Sequence, residues 1–175
     1  MQESIFLIGP MGSGKSAVGR RLAKQLGWEF FDSDAIIEER TGVDIAFIFE
    51  KEGEAGFRRR EQQVIGELAD LKQIVLATGG GAILIDETRK RLGSRGTVVY
   101  LQASVDQQLR RTRHGKERPL LKGGDRRQIL EQLIKVRDPL YREIADILLE
   151  TDGRTVTAVT AELCERLAEQ AGGPA

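Results

Sequence analysis

The 175-residue sequence has one cysteine, one histidine and no net charge. Cys164 is the single cysteine, which excludes an intramolecular disulfide and gives no sign of an oxidising compartment. His114 is the single histidine, and with no other histidine or cysteine nearby we expect no metal role for it. Lys plus Arg and Asp plus Glu both number 27, so the chain has no overall positive field that would hold a nucleic acid.

Long hydrophobic runs are also missing. No apolar run reaches the length of a membrane-spanning helix, and no basic stretch leads into a long apolar one at the start of the chain. No repeat, low-complexity segment or Pro/Gly/Ser-rich linker divides the sequence. We therefore expect one globular domain over residues 1–175, in the cytoplasm, with no membrane and no nucleic-acid partner.

What the sequence does contain is a phosphate-binding signature near its start. Residues 9–16 read GPMGSGKS and fit the pattern G-x-x-x-x-G-K-S, after an apolar run at 5–8 and before a helical pattern. The glycines let the backbone turn tightly, so that N–H groups and the positive end of the next helix surround an anion. We predict a nucleoside triphosphate site in which Lys15 reaches the β- and γ-phosphates and the Ser16 hydroxyl binds Mg²⁺. The residues predicted to contact the nucleotide in this segment are Gly12, Ser13, Gly14, Lys15, Ser16 and Ala17.

Strand-like apolar runs alternate with helical patterns along the chain. The predicted strands are residues 4–8, 29–31, 74–77, 97–101 and 144–149, and helical patterns include 15–26, 36–40, 54–71 and 125–136. This alternation predicts an α/β fold with a parallel sheet covered on both faces. Ligands bind beyond the carboxyl ends of the strands in such sheets, so the residues that follow each strand are the candidates for chemistry.

Two carboxylates follow the second predicted strand. Asp32 and Asp34 are two residues apart and would point to the same side of an extended segment. They could serve a magnesium ion, a substrate hydroxyl, or one of each. The alternative is helix capping, because Ser33 and Asp34 precede a helical pattern. Beside a phosphate-binding loop we favour the functional interpretation.

Three consecutive glycines at 79–81 follow the third predicted strand. Such a run is costly in conformational entropy, which implies that something approaches its backbone closely. A flexible turn is the alternative. Because the run lies where a strand ends and a helix begins, we favour a loop that contacts ligand.

Arginines are concentrated in three further segments. Residues 58–60 are all arginine, and because successive helical residues lie about 100° apart, the three cannot all face one ligand. A basic stretch at about 112–124 contains glycine and proline and is predicted to be a mobile loop, either a lid that closes over the nucleotide or an ordinary solvated surface loop. Arg137 precedes Pro139, which we expect to end a helix. Its guanidinium would bind a carboxylate, or else neutralise the helix C-terminus.

Together these motifs closely resemble those of the shikimate kinase family, small P-loop kinases related in fold to the nucleoside monophosphate kinases. The resemblance extends from residue 5 to the final helix. It rests on GPMGSGKS at 9–16, DSD at 32–34, FR at 57–58, GGG at 79–81, RPLL at 118–121 and RDPLY at 137–141.

The resemblance implies an activity and a fold. In that family ATP phosphorylates the 3-hydroxyl of shikimate, giving ADP and shikimate 3-phosphate on the route to chorismate and the aromatic amino acids. The implied fold has three layers, with a five-stranded parallel sheet of order 2-3-1-4-5 between helices. It also implies a single P-loop kinase domain, monomeric, with a lid at about 112–124 and a substrate-binding helical region at about 33–61.

It also implies roles for individual residues. The arginines would grip the carboxylate of shikimate, and Asp34 would bind its ring hydroxyls, including the attacking one. Asp32 would support Mg²⁺ through water, with Ser16 a direct ligand, and Arg154 would lie against adenine. The implied catalytic residues are Lys15, Asp34 and Arg118, the last in the lid beside the phosphates. The implied shikimate-binding residues are Asp34, Arg58, Gly80, Gly81 and Arg137.

Two other functions compete with this one. A kinase of the same fold for gluconate or a nucleoside monophosphate is the nearest alternative. The paired arginines and carboxylates suit a polyhydroxylated acid better than a nucleotide, and the motif set favours shikimate over gluconate. A nucleotide-dependent switch or motor is a different class, but the guanine-reading motif N-K-x-D is missing from the sequence.

Overall fold

The computed structural model describes residues 3–113, 119–121 and 124–172, and in them a parallel β-sheet lies between two layers of helices. The strands are β1 (Ser4–Ile8), β2 (Glu29–Asp32), β3 (Ile74–Ala77), β4 (Gly96–Gln102) and β5 (Ile147–Glu150). The helices are α1 (Lys15–Leu26), α2 (Ser33–Thr41), α3 (Ile45–Ala69), α4 (Asp86–Arg95), α5 (Val105–Thr112), α6 (Arg126–Ile144) and α7 (Val156–Ala171). Short 3-10 turns cover Ala82–Leu84 and Pro119–Leu121.

The five strands found in these residues are arranged β2-β3-β1-β4-β5, and every neighbouring pair is parallel. Phe6 at the centre of β1 lies opposite Leu76 of β3 and Val98 of β4. The predicted sheet order is therefore confirmed. Because all strands run the same way, their carboxyl ends form one edge, and the loops that follow them meet there.

The core has two parts, one on each face of the sheet. Successive side chains of a strand point to opposite faces. Accordingly, Phe6 and Ile8 pack with side chains from α3, α4 and α6, whereas Ile5 and Leu7 pack with side chains from α1 and α7. All five residues of β1 are buried, which explains why residues 5–8 are continuously apolar rather than alternating.

Polar caps and glycines set the helix ends near the site. The Asp32 carboxylate accepts hydrogen bonds from the backbone N–H groups of Asp34 and Ala35, so it caps α2. Asp44 caps α3 in the same way, through the N–H of Phe47. Within α3, Gly53 has φ 71° and ψ 179°, and this non-helical residue divides the helix into two segments.

Three local predictions were wrong. Pro139 does not end its helix: α6 continues to Ile144, because burial of Arg137 and Tyr141 on one face of the helix outweighs the single hydrogen bond that proline removes. The residues at 144–146 consequently precede β5 rather than belong to it. Asp34 lies in the first turn of α2, so the extended-segment argument that put it on the same side as Asp32 does not hold.

None of the helices in the described ranges is both long enough and apolar enough to span a membrane.

Candidate active site

The phosphate-binding signature forms a loop between β1 and α1. Gly12 and Gly14 have φ of 76° and 88°, the left-handed region that glycine adopts without strain. The Lys15 ammonium folds back over the loop and donates hydrogen bonds to the carbonyl oxygens of Gly9, at 2.7 Å, and Pro10, at 2.9 Å. The backbone N–H groups at the start of α1 and this ammonium therefore provide positive charge around one small space.

The loop is packed tightly against the end of β4. A Cβ atom on Gly9 would lie 2.3 Å from the carbonyl oxygen of Leu101, which no side chain can tolerate. The first glycine of the signature is thus required by the packing of the loop on the sheet. Ser13 is buried beneath the loop, with its Oγ 3.5 Å from the Lys15 ammonium.

Asp32 performs two structural tasks at once. One carboxylate oxygen caps α2, and the other accepts a hydrogen bond from the Ser16 hydroxyl at 2.5 Å. Capping and a place in the site, which the sequence presented as alternatives, therefore coexist in this residue. The adjacent hydroxyl and carboxylate are hard oxygen donors, the type that Mg²⁺ prefers, so the residues present suit that ion.

A cavity of about 870 Å³ opens at the carboxyl edge of the sheet, between the phosphate-binding loop, α2, α3 and α6. Most of the residues predicted from the sequence lie on its walls. They are Gly12, Gly14, Lys15, Ser16, Ala17, Asp32, Asp34, Arg58, Gly80, Gly81 and Arg137.

A cluster of charged side chains from α3 and α6 also borders the cavity. Arg58 donates hydrogen bonds to the carboxylates of Glu61, at 2.8 Å, and Glu54, at 3.3 Å. Arg137 is only 4% exposed, yet it borders the cavity. Arg60, by contrast, pairs with Glu52 at the surface. Of these arginines, Arg58 and Arg137 are therefore the ones available to an anionic ligand in the cavity.

Glu61 lies beneath this cluster and is 1% exposed. Burial raises its pKa from 4.5 to about 7, against the opposing effect of the Arg58 guanidinium, and the nearby Asp34 carboxylate adds to the rise. Its Oε2 atom has no hydrogen-bond partner in the parts of the chain that the structure describes. Glu61 therefore holds Arg58 in place at an electrostatic cost to itself.

The glycine run after β3 lies directly against these charged groups. A Cβ on Gly79 would be 2.6 Å from Glu61 Oε2 and 3.0 Å from Asp34 Oδ1, and a Cβ on Gly81 would be 2.3 Å from an Arg58 nitrogen. The loop needs glycine because functional side chains approach its backbone closely. The sequence predicted such an approach but not which groups make it.

Of the other predicted residues, Ser13 and Arg154 do not line the cavity in the part of the chain that the structure describes. The Arg154 guanidinium donates to the Glu150 carbonyl at 3.1 Å and pairs with Glu162 at 2.7 Å, and it does not line the cavity. Arg118 of the predicted lid lies outside the described residues, whereas Pro119 and Leu120 border the cavity. The adenine contact of Arg154 and the phosphate contact of Arg118 stay predictions.

Three residues of the site were not found from the sequence. Arg111 donates to the Gly12 carbonyl at 2.9 Å and to the Thr151 carbonyl at 3.2 Å, which ties the phosphate-binding loop to the residue after β5. Glu61 was signalled by its spacing, since a carboxylate three residues after Arg58 on a helix is within reach of it. Tyr141, whose hydroxyl donates to the Gly80 carbonyl, belonged to a quoted motif but had no assigned role.

A phosphate-binding loop alone is common to a large superfamily of nucleotide hydrolases, switches and kinases. In this structure it shares one cavity with the half-buried Arg58, the buried Arg137 and the Asp34 carboxylate, which leaves room for a small anionic acceptor beside the phosphates. Fold and site together define a P-loop kinase. A family model described as shikimate kinase matches residues 11–168. The chain belongs to the shikimate kinase family.

Individual relatives agree with this assignment. A shikimate kinase of Francisella tularensis subsp. novicida is 56% identical over 169 residues, covering 96% of each chain. One from Vibrio cholerae is 52% identical over 168 residues, covering 96% of this chain and 97% of the relative. A structure of shikimate kinase from Acinetobacter baumannii in complex with shikimate is 48% identical and superposes with a TM-score of 0.95, covering 97% of this chain and 95% of the other. The family predicted from the sequence is confirmed.

Proposed function

We propose that the chain transfers the γ-phosphate of ATP to the 3-hydroxyl of shikimate, giving ADP and shikimate 3-phosphate for chorismate and aromatic amino-acid biosynthesis. The observation that carries the proposal is the pair Arg58 and Arg137, which borders the same cavity as the phosphate-binding loop and Asp34. The Acinetobacter baumannii relative, 48% identical, was solved with shikimate bound.

The arginines suit the carboxylate of the acceptor. A guanidinium binds a carboxylate through two parallel hydrogen bonds, which fixes the orientation of the acid as well as holding its charge. Arg58 is already oriented by Glu61 and Glu54. The side chains therefore lose little freedom when the acceptor binds, and the ring hydroxyls are directed towards the phosphate-binding loop.

Asp34 would bind the ring hydroxyls, including the one that attacks. It lies in the first turn of α2, two residues after Asp32, which touches Ser16 of the phosphate-binding loop. The transition state of phosphoryl transfer is loose, so the attacking hydroxyl needs little help in losing its proton. We propose that Asp34 acts mainly by orienting this hydroxyl towards the phosphorus.

Lys15 and the backbone N–H groups at the start of α1 would hold the phosphates of ATP. Ser16 and Asp32 would hold Mg²⁺, which when bound neutralises phosphate charge. No group of three or more acidic, histidine or cysteine side chains able to hold a metal occurs in the described ranges. Arg118 would add positive charge as the lid at about 112–124 closes and excludes water.

We further propose that residues 1–175 form a single P-loop kinase domain whose helical region at about 33–61 binds the acceptor. That region includes α2 and the Arg58 end of the site. A monomeric state, a cytoplasmic location and the lack of nucleic-acid or membrane partners stay predictions from the sequence.

The position of the new phosphate tests the proposed reaction. Phosphorus and proton NMR of the product formed from ATP, Mg²⁺ and shikimate should place the phosphate on the 3-hydroxyl. Arg137→Ala should lower kcat/KM for shikimate by about 30- to 150-fold, because a charge-assisted pair contributes about 2–3 kcal/mol. Asp34→Asn should lower it as well. Arg142→Ala is the matched control on the same helix, since Arg142 is half exposed and pairs with Asp138 at the surface.

Phosphate on another hydroxyl would contradict the proposed reaction. An Arg137→Ala variant as active as Arg142→Ala would contradict the proposed carboxylate site.

A further inference from the structure

Tyr141 lies directly beneath the acceptor side of the cavity and is fully buried. It follows Arg137 by one turn on α6, so both side chains lie on the same face of the helix. The Tyr141 hydroxyl donates a hydrogen bond to the Gly80 carbonyl at 2.5 Å. Tyr141 is not among the residues that line the cavity, yet it binds Gly80, which lines the cavity and lies close to the phosphate-binding loop.

Gly80 is the junction between the two halves of the site. A Cβ on Gly80 would lie 3.4 Å from an Arg137 nitrogen, 3.5 Å from the Gly9 carbonyl and 3.5 Å from the Met11 N–H nitrogen. The orientation of its peptide therefore decides how the glycine loop meets both the buried arginine and the phosphate-binding loop. Few backbone conformations are excluded for a run of three glycines, so an external hydrogen bond is needed to fix one of them.

The same phenol oxygen also faces Arg137. Burial raises the pKa of Tyr141, while the charge of Arg137 and a hydrogen bond from it oppose the rise. The hydroxyl thus donates its proton to the Gly80 carbonyl and offers its lone pairs to the guanidinium. The Tyr141 hydroxyl oxygen therefore connects Gly80 and Arg137, the two groups that the acceptor would contact.

We propose that Tyr141 is a positioning residue that sets acceptor affinity by fixing the position of the Gly80 peptide relative to the Arg137 guanidinium. This inference rests on the proposed function, because it assumes that an anionic acceptor binds between these groups. Tyr141 does not touch the reacting atoms and acts only through Gly80 and Arg137.

Tyr100 provides a matched comparison within the same core. Its ring lies against that of Tyr141, with centroids 4.7 Å apart, and it is 2% exposed. Its hydroxyl donates to Asp138 Oδ1 at 2.7 Å, away from the glycine loop. Changing either tyrosine to phenylalanine removes one buried hydroxyl and creates no substantial cavity, but only one of the two changes affects a group at the site.

Steady-state kinetics of Tyr141→Phe and Tyr100→Phe, with thermal melts of both, test the inference. Tyr141→Phe should raise KM for shikimate about tenfold, because the Gly80 carbonyl loses its hydrogen-bond donor and the loop is no longer fixed. Its KM for ATP and its kcat should stay within about twofold of wild type, since the nucleotide contacts are unchanged. Both variants lose one buried hydroxyl, so both should lower the melting temperature by about the same amount. Tyr100→Phe should leave KM for shikimate unchanged.

Equal KM values for shikimate in the two variants would overturn the inference while leaving the proposed function intact. So would a loss in Tyr141→Phe confined to kcat or to KM for ATP. A wild-type protein that does not phosphorylate shikimate would overturn the proposed function, and this inference with it.

Discussion

At the scale of single residues, Glu61 orients Arg58 at the expense of the stability of the fold. The carboxylate orients Arg58 from a position where it is almost completely withdrawn from water. A buried carboxylate is stabilised when protonated, and the arginine only partly offsets this. The protein therefore retains an ionisable group whose charge weakens the fold, because that group orients an arginine that borders the cavity.

The stability of the fold should consequently depend on pH through Glu61. Below pH 4.5 the carboxyl is protonated in both folded and unfolded chains and imposes no penalty. Between 4.5 and about 7 the unfolded chain ionises while the folded one stays protonated, so the free energy of unfolding falls. Above about pH 7 the folded chain ionises as well, and the free energy of unfolding stops falling. The total decrease is about 3 kcal/mol for a pKa shift of this size.

Urea unfolding of wild type and Glu61→Gln from pH 4.5 to 8 measures this effect. The difference between the two unfolding free energies should change by about 3 kcal/mol across that range, because the amide does not titrate. Glu39→Gln, on the exposed side of α2, is the control and should keep the wild-type pH dependence. Parallel pH profiles for wild type and Glu61→Gln would show that Glu61 is not perturbed.

The same scale shows which residues a sequence can identify. Lys15 and Ser16 belong to a motif whose chemistry is fixed by its spacing, so their places were predictable. Arg111 was not, because it reaches the Gly12 carbonyl from a helix nearly a hundred residues away. No local pattern records a contact of that kind.

At the scale of elements, the glycine loop at 79–81 couples the sheet to the acceptor site. Gly81 has φ −98°, which any residue adopts, so only a steric clash, not backbone strain, excludes a side chain at this position. The obstruction is the end of the flexible Arg58 side chain. A larger residue would therefore displace the arginine rather than unfold the loop.

Gly81→Ala should raise KM for shikimate by roughly tenfold, because it displaces a charge-assisted contact, while the melting temperature changes little. Gly93→Ala is the control: Gly93 lies inside α4 with no atom within 4 Å of the added Cβ, and alanine there should stabilise the helix by about 1 kcal/mol without altering KM. Kinetics and thermal melts of both variants check the prediction. An unchanged KM in Gly81→Ala, or a large loss of stability, would contradict it.

Element boundaries were predictable where local chemistry decides them. β1, β3 and α1 have the predicted limits, since apolar runs and flanking glycines are visible in the sequence. The end of α6 was missed because tertiary burial of Tyr141, beyond Pro139, keeps the helix going. The first segment of α3 was missed because Gly53 separates it from the helical pattern that follows.

At the scale of the whole molecule, the topology brings together segments that are far apart in sequence. The phosphate-binding loop, α2 and the glycine loop meet because they follow β1, β2 and β3, which are adjacent and parallel in the sheet. Helix α6 joins them by packing against the 3-10 turn after the glycine loop. The sequence pattern alone predicted a parallel sheet, while the order of its strands came from the resemblance to the family. The net charge of zero likewise did not predict the local charge of the site, because the fold concentrates Arg58 and Arg137 at one cavity.

The central claim is that this cavity selects a hydroxylated carboxylic acid as phosphoryl acceptor. ADP release from Mg-ATP, measured in parallel with shikimate, gluconate, AMP, CMP and no acceptor, tests it most directly. We expect release that depends on shikimate and is lost when Arg137 is replaced by alanine. Release with gluconate or a nucleotide instead, or equal turnover without any acceptor, would contradict the claim.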